Sequence, residues 1–405
     1  MTERHRRMVL PTLIVAVSSI DTPSLIINIS LIEIALSFGV SISLAGQIRS
    51  VTSTLGIFAA LAMGAISVRY DYRALLLTGI VINLLTALLC STAPSFGFLL
   101  ASFSAMGLVT SLVTPMVFAY IGEYYPEERR PKTIGLLAAA RTLIYLAIVQ
   151  LAGYVAANHG WRNAFLYLVA PFAIVGLALS FVVLPNARGD SASAGSGALE
   201  GYREVLGSSS AKACLLGNAL AAASWMAVVL YSVSYLRERF LLSRPDASLI
   251  FSVLGVGVLV GNYAGGLLAA RLGRRRVASL GSLLTGLLIA CYMNSPSVAV
   301  TLIVVPLMSV GGGIVLTAAN SLVLEQAPRF RGTMMSVNSA ASQLGIALGA
   351  GAGGLALHLF GWGAVGLSLG AMKILASLVY RHGVKDPRDS THTSMDARAH
   401  EGERY

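Results

Sequence analysis

The chain is 405 residues long, 56% hydrophobic and only 12% charged, with a mean hydropathy of +0.75. A soluble domain carries about 25% charged residues, so this stock cannot cover a water-facing surface, and a soluble enzyme is excluded. The formal net charge of +11 invites a nucleic-acid partner, but the basic residues cluster between apolar runs, which is a topology signal and not a polyanion-binding surface.

From the amino terminus, apolar runs fall at 8–32, 44–68, 73–93, 96–121, 133–157 and 162–184, then at 211–235, 247–270, 275–294, 297–323, 332–358 and 362–381. Each is near or above the roughly 20 residues that cross a bilayer. The first run follows Arg4–Arg7 as a signal peptide would, but it contains Pro11, Asp21 and Pro23 and has no small-residue cleavage site, so a retained span is expected. Long two-residue alternation is missing, which disfavours a β-barrel. The expected fold is an all-α membrane protein of twelve transmembrane helices in two pseudo-symmetric six-helix bundles, residues 1–185 and 211–382. Between them lies a linker, 186–210, whose Gly/Ser composition predicts a flexible coil, and a polar tail follows at 383–405.

On this scheme 22 of the 29 Lys and Arg residues share the side of both termini. The positive-inside rule makes that side cytoplasmic, in a multi-pass protein of the cell membrane. Arg49, Arg162, Arg237, Arg239 and Arg244 are expected on the opposite side, and Arg141 and Lys373 within spans. Cys90, Cys214 and Cys291 all fall in spans, which predicts packing residues and neither a disulfide framework nor a metal site.

The two halves repeat at an offset of 201–202 residues. Gly64–Arg69 and Asp71–Arg73 fall on Gly266–Arg271 and Gly273–Arg275, Glu123 falls on Glu325, Arg130–Lys132 on Arg331–Thr333, and Gly160–Trp161 on Gly361–Trp362. A repeat of this length within helical membrane segments is how many secondary transporters are built.

Gly64-Ala-Ile-Ser-Val68-Arg69-Tyr-Asp71-Tyr-Arg73 and its better copy, Gly266-Leu-Leu-Ala-Ala270-Arg271-Leu-Gly273-Arg274-Arg275, resemble the signature loop of the major facilitator superfamily. Span count, halves and central linker extend the resemblance over the whole chain. Pro328–Thr333, Asn338 and Gln343 resemble its twelve-span efflux branch, the drug or sugar:proton antiporters. The resemblance implies a secondary transporter, and it implies gating pairs between the motif arginine and an acid ending span 4 or 10: Arg69 with Glu123 and Arg271 with Glu325. Departures accompany it. The signature Asp, which helps latch the halves in the family, is Val68 in one copy and Ala270 in the other. The span-4 Arg of the proton antiporters is Phe103, and their Gly-Pro pair in span 5 is Ile148-Val149.

Ionisable groups inside spans are functional candidates because the bilayer interior is costly for them. Asp21 lies about 20 Å into span 1 and Arg141 about 12 Å into span 5 at 1.5 Å per residue. An Arg side chain nearly covers that difference, so the two are candidates for a proton-coupling pair; the alternative is a purely structural ion pair. For Lys373, snorkelling or a boundary error is the favoured reading. Candidate cavity residues are Asn28, Thr114, Tyr145, Gln150, Asn218, Trp225, Tyr231, Asn262, Asn320, Asn338 and Gln343. Their largely neutral chemistry points to a neutral, cationic or amphipathic solute. Glycines in span 8 (Gly255, Gly257, Gly261, Gly265) and span 11 (Gly345, Gly349, Gly351, Gly353, Gly354) predict close helix approach where the halves slide.

No metalloprotease, hydrolase or phosphate-loop motif is present, so an enzyme is not expected, nor a cofactor or metal. The expected partners are a small-molecule substrate, lipid and a coupling proton, for a monomer. Two functions stay open: proton-coupled efflux by alternating access, or a protein that keeps the fold as an uncoupled facilitator, receptor or scaffold.

Overall fold

The structure is a computed structural model that describes residues 3–125, 130–186, 197–327 and 331–386. Every regular element among them is helical: α1 (Glu3–Ile29), α2 (Leu31–Phe38), α3 (Ile42–Arg69), α4 (Tyr72–Ser91), α5 (Phe96–Ser104), α6 (Met106–Tyr124), α7 (Arg130–His159), α8 (Trp161–Ala164), α9 (Ala170–Val183), α10 (Gly197–Gly207), α11 (Ser209–Phe240), α12 (Arg244–Leu272), α13 (Arg274–Tyr292), α14 (Val298–Gln326), α15 (Arg331–Phe360) and α16 (Trp362–Gly383). Ten stretches are long and apolar enough to cross a membrane, and the bent pair Leu31–Phe38 and Ile42–Ala60 makes an eleventh. The ninth expected span, α13, falls short of that test because it opens on Arg274, Arg275 and Arg276 and carries Ser279, Ser282 and Thr285.

Departures from straight helix trace to particular residues. Pro23 has no N–H to give the carbonyl four residues back, and Asn83 of α4 supplies the missing bond, its Nδ2 donating to Ser19 O at 3.2 Å. Pro171 does the same near the start of α9, where the preceding turn, Phe165–Val169, widens to π geometry. Helix α1 ends at Ile29, short of the expected span end, and α2 continues after Ser30 before a break to α3 that bends the chain by 110°. Span 4 divides at Ala105 into α5 and α6.

The repeat is visible in local structure. Gly160 (φ 83°) and Gly361 (φ 79°) make the same left-handed turn, which a side chain would strain, before α8 and α16. Ser95 caps α5 by accepting from Phe98 N, and Ser297 caps α14 by accepting from Val300 N. The indole of Trp161 donates to Ser37 and that of Trp362 to Glu238, again 201 residues apart.

Two expectations are corrected. Part of the linker is helix α10, whose Val205 is fully buried in a cluster with α11 and α14, because its apolar stripe has a helix surface to cover; residues 187–196 lie outside the described residues. The glycine stripes mostly serve packing within the second half. Gly257, Gly261 and Gly265 of α12 meet α14, and Gly345 and Gly349 of α15 meet Ala219 and Ala223 of α11. A Cβ at Gly261 would sit 2.1 Å from Val310 O, leaving no room for a side chain. Gly261→Val should therefore lower stability by about 1–3 kcal/mol through overpacking, whereas Gly266→Ala, whose added Cβ meets nothing within 4 Å, should cause no loss. Thermal unfolding of the detergent-solubilised protein separates the two.

Candidate functional site

One face of α1 carries Asp21 and, a turn later, Ser24; one face of α7 carries Arg141 and, a turn later, Tyr145. Packing of α1 against α7 brings the two stripes together. Arg141 donates from Nε to Asp21 Oδ2 at 2.6 Å and from Nη2 to Oδ1 at 2.7 Å. This parallel two-bond geometry is the strongest that guanidinium and carboxylate form. The side chains remain 41% and 22% accessible, so neither is sealed within the helix packing.

Arg49 joins this cluster. It lies in α3, donates from Nη1 to Ser24 Oγ at 3.0 Å, and is within electrostatic reach of Asp21 and Tyr145. The expectation that Arg49 faces the opposite side of the membrane is therefore corrected: α3 begins at Ile42, which puts Arg49 about two turns deep. The cluster holds two guanidinium groups against one carboxylate. Arg49 was missed because hydropathy alone does not show that α3 brings it against Ser24 of α1.

We call the side bearing the connection from α9 to α10 the linker face and the other the far face. On the far face Glu33 of α2 forms ion pairs with Arg237 of α11 and, at 2.8 Å, with Arg244 of α12. The three side chains are only 12–19% accessible, so the pairs are poorly screened and join the two halves. Tyr231, donating to Ala350 O at 3.0 Å, packs against Gly46 of α3 so closely that a Cβ there would lie 2.0 Å from its Oη. Ser50 donates to Ala347 O at 2.9 Å, and Gln150 donates to Ser248 O at 3.3 Å and to Ser252 Oγ. All of these inter-half contacts lie in the far-face half of the spans. In the linker-face half, a cavity of about 310 Å³ separates Ala60 and Met63 of α3 and Thr110 and Thr114 of α6 from Ser336, Ser339 and Gln343 of α15.

The candidate cavity residues thus divide. Thr114 and Gln343 line the cavity between the halves, and Tyr145 flanks the Asp21 cluster. Asn218, Trp225 and Asn320 line a second cavity, of about 80 Å³, inside the second half. Asn338 donates no lining group there; its Oδ1 accepts from Asn218 at 2.7 Å. Gln150 and Tyr231 hold the halves together, Asn262 accepts from Thr317 at 3.2 Å, and Asn28 is buried in α1.

The gating motif is used differently from expectation. Glu325 pairs with Arg274 at 3.3 Å, whereas Arg271 is exposed. Helix α12 ends at Leu272 and Gly273 turns the chain with φ 87°, so Arg274, on the first turn of α13, is the residue presented to the end of α14. Glu123 is exposed, and the side chain of Arg69 lies outside the described residues. The later motif arginines grip the last helix of each half. Arg73 donates to Phe181 O and, at 3.3 Å, to Asn186 Oδ1, and Arg275 donates to Val384 O at 3.5 Å. Asp386 accepts from the backbone N–H of Arg274 (3.1 Å) and Arg275 (3.4 Å), capping α13 from beyond α16.

These features define a class, a helical membrane transporter with ion pairs on one face and a cavity between its halves. The model of the Major Facilitator Superfamily matches residues 12–210 and 213–401, and the chain belongs to that family, whose members are transporters and not enzymes. The uncharacterized MFS-type transporter YceJ of Bacillus subtilis (strain 168) is 25% identical over 312 residues, 77% of this chain and 80% of that protein. The purine ribonucleoside efflux pump NepI of Escherichia coli (strain K12) is 27% identical over 135 residues, 33% of this chain and 34% of that protein. A bacterial homolog of the human lysosomal transporter Spinster, in an inward-facing and unoccupied conformation, shares the fold with a TM-score of 0.77 at 18% identity, covering 96% of this chain and all of that one.

The Glu33 contacts generate a prediction. With Glu33→Gln the two arginines lose their counter-charge and repel the face they now hold. In a background without native cysteines, a cysteine at Gln47, which faces Gly354 across the interface, should react several-fold faster with a membrane-impermeant maleimide added to the far face.

Proposed function

We propose that this protein moves a small organic solute across the cell membrane by alternating access, exporting it in exchange for protons, with the linker face cytoplasmic. The observation that carries the reading is the asymmetry between faces: contacts join the halves toward the far face, and a cavity lies between them toward the linker face. Rocking the halves about the Asp21 level would reverse that asymmetry. The first half, residues 1–185, and the second, 211–382, serve as the two moving bodies. The bias of Lys and Arg toward the linker face supports its cytoplasmic placement, and the stretch similar to a nucleoside efflux pump supports export.

Proton coupling is assigned to Asp21. Its carboxylate is the one acid deep within a span among the described residues, it is accessible, and its charge is balanced by an arginine. An outward movement that separates α1 from α7 would release the carboxylate to take a proton; re-forming the bonds to Arg141 would expel it. Reconstituted vesicles test this. Wild type should accumulate solute against its gradient when a pH gradient is imposed, and an uncoupler should abolish accumulation. Asp21→Asn should lose uphill transport at least tenfold while retaining solute exchange at equilibrium. Full uphill transport by the Asn variant would make Asp21 structural; transport indifferent to the uncoupler would make the protein a facilitator.

A further inference from the structure

Lys373 stands halfway along α16, 3% accessible, and neither snorkels to an interface nor sits at a helix end. Its ammonium donates one hydrogen bond, to Ala221 O of α11 at 3.3 Å, out of three it can make. Among the described residues no acidic side chain forms an ion pair with it or lines the cavity of about 80 Å³ that it borders. A cation held in a bilayer interior without a counter-charge is costly and marks a ligand path.

The rest of the cavity wall is mostly apolar and carries a few polar side chains that are not engaged elsewhere. Trp225, Asn320 and Ser342 line it, and none of their side chains makes a hydrogen bond among the described residues. Asn218 is already committed, donating to Asn338 and accepting from Tyr380. An ammonium, an amide and a hydroxyl on the wall of one small space can each donate to a group that only accepts, and an ionised carboxylate is such a group. A cationic head would find a like charge and no carboxylate. The space suffices for several water-sized groups, enough for an acidic head but not for a whole solute. Ser342 lines this cavity and Gln343, next in the chain, lines the larger one between the halves, where the body of such a solute would lie. The first half adds to the same field, since Arg49 and Arg141 outnumber Asp21.

We propose that the cavity between α11, α14 and α16 is a carboxylate subsite, with Lys373 as counter-charge, and that the transported solute is a small organic anion. This rests on the transport reading and reverses the neutral or cationic preference drawn from the sequence.

The test uses the full chain in phosphatidylcholine nanodiscs, with 4-fluorobenzoate and its neutral isostere 4-fluorobenzamide observed by fluorine NMR line broadening. Benzoate should bind saturably and the amide at least tenfold more weakly. Lys373→Met, which keeps the stem and removes the charge, should weaken benzoate at least tenfold and leave the amide unchanged; Lys373→Arg should retain binding. Asn320→Ala, which leaves the lysine in place, should weaken benzoate several-fold. Size-exclusion behaviour and the thermal midpoint verify that each variant is folded. Equal binding of acid and amide, wild-type benzoate affinity in a folded Lys373→Met protein, or no saturable benzoate signal overturns the site. Binding of benzoate without flux of any organic anion into vesicles would instead sink the transport reading and leave the site standing.

Discussion

A charge inside a bilayer must find a partner, a path to water, or a ligand, and that constraint organises this molecule. Asp21, Arg49 and Arg141 satisfy one another across α1, α3 and α7 while staying accessible. Lys373, in the other half, is buried with a single backbone carbonyl. The two halves share backbone devices at an offset of 201–202 residues yet hold their charges in opposite ways: the first keeps an ion cluster that needs no ligand, the second keeps an ammonium that does. That difference gives the pathway a polarity that the shared fold alone would not.

The repeat preserves backbone devices and varies side-chain chemistry. The left-handed glycines and the serine caps recur at 201–202 residues where helices start and their first backbone groups need partners, and the tryptophan donors recur at the same offset. The acceptors on the opposite ends are free to change: Ser37 becomes Glu238, and Asn186 beside Arg73 becomes Asp386 two hundred residues on, capping the backbone of the next motif. Arg73 and Arg275 keep one role, holding carbonyls at the carboxyl-terminal end of α9 and α16, where helix dipoles favour a cation.

How much was legible in the sequence follows from which signals are local. Apolar run length placed nearly every helix, since a span is long and has one hydropathy, and the Asp21–Arg141 pair could be read from depth alone. The failures lie in contacts that hydropathy does not report. Arg49 was placed on the far face, and its approach to Ser24 depends on how α3 packs on α1. The turn at Gly273 handed Glu325 to Arg274 in place of Arg271. Lys373 was read as snorkelling or as a boundary error because the family resemblance places span 12 at the periphery, whereas the face of α16 that carries it is buried against α11. The Glu33 contacts had a signal that was not used: Arg237, Arg239 and Arg244 crowd one far-face loop against the prevailing charge bias, and a basic cluster retained there calls for an acid.

The opposing faces also explain which conformation is found. A family member that alternates needs its two closures to differ by only a few kcal/mol, so that a ligand's preference for one state can shift the balance. Here the linker-face motif lacks its carboxylate, Val68 and Ala270 standing in its place, and the far face has gained Glu33 between two arginines at low accessibility. Both changes lower the far-face-closed state relative to its opposite. One carboxylate shared by two guanidinium groups leaves a net positive charge in the closed interface, however, and that residual repulsion limits how deep the state can become. The latch is thus self-limiting: the shared carboxylate holds the far face shut, and the unbalanced charge keeps that closure shallow.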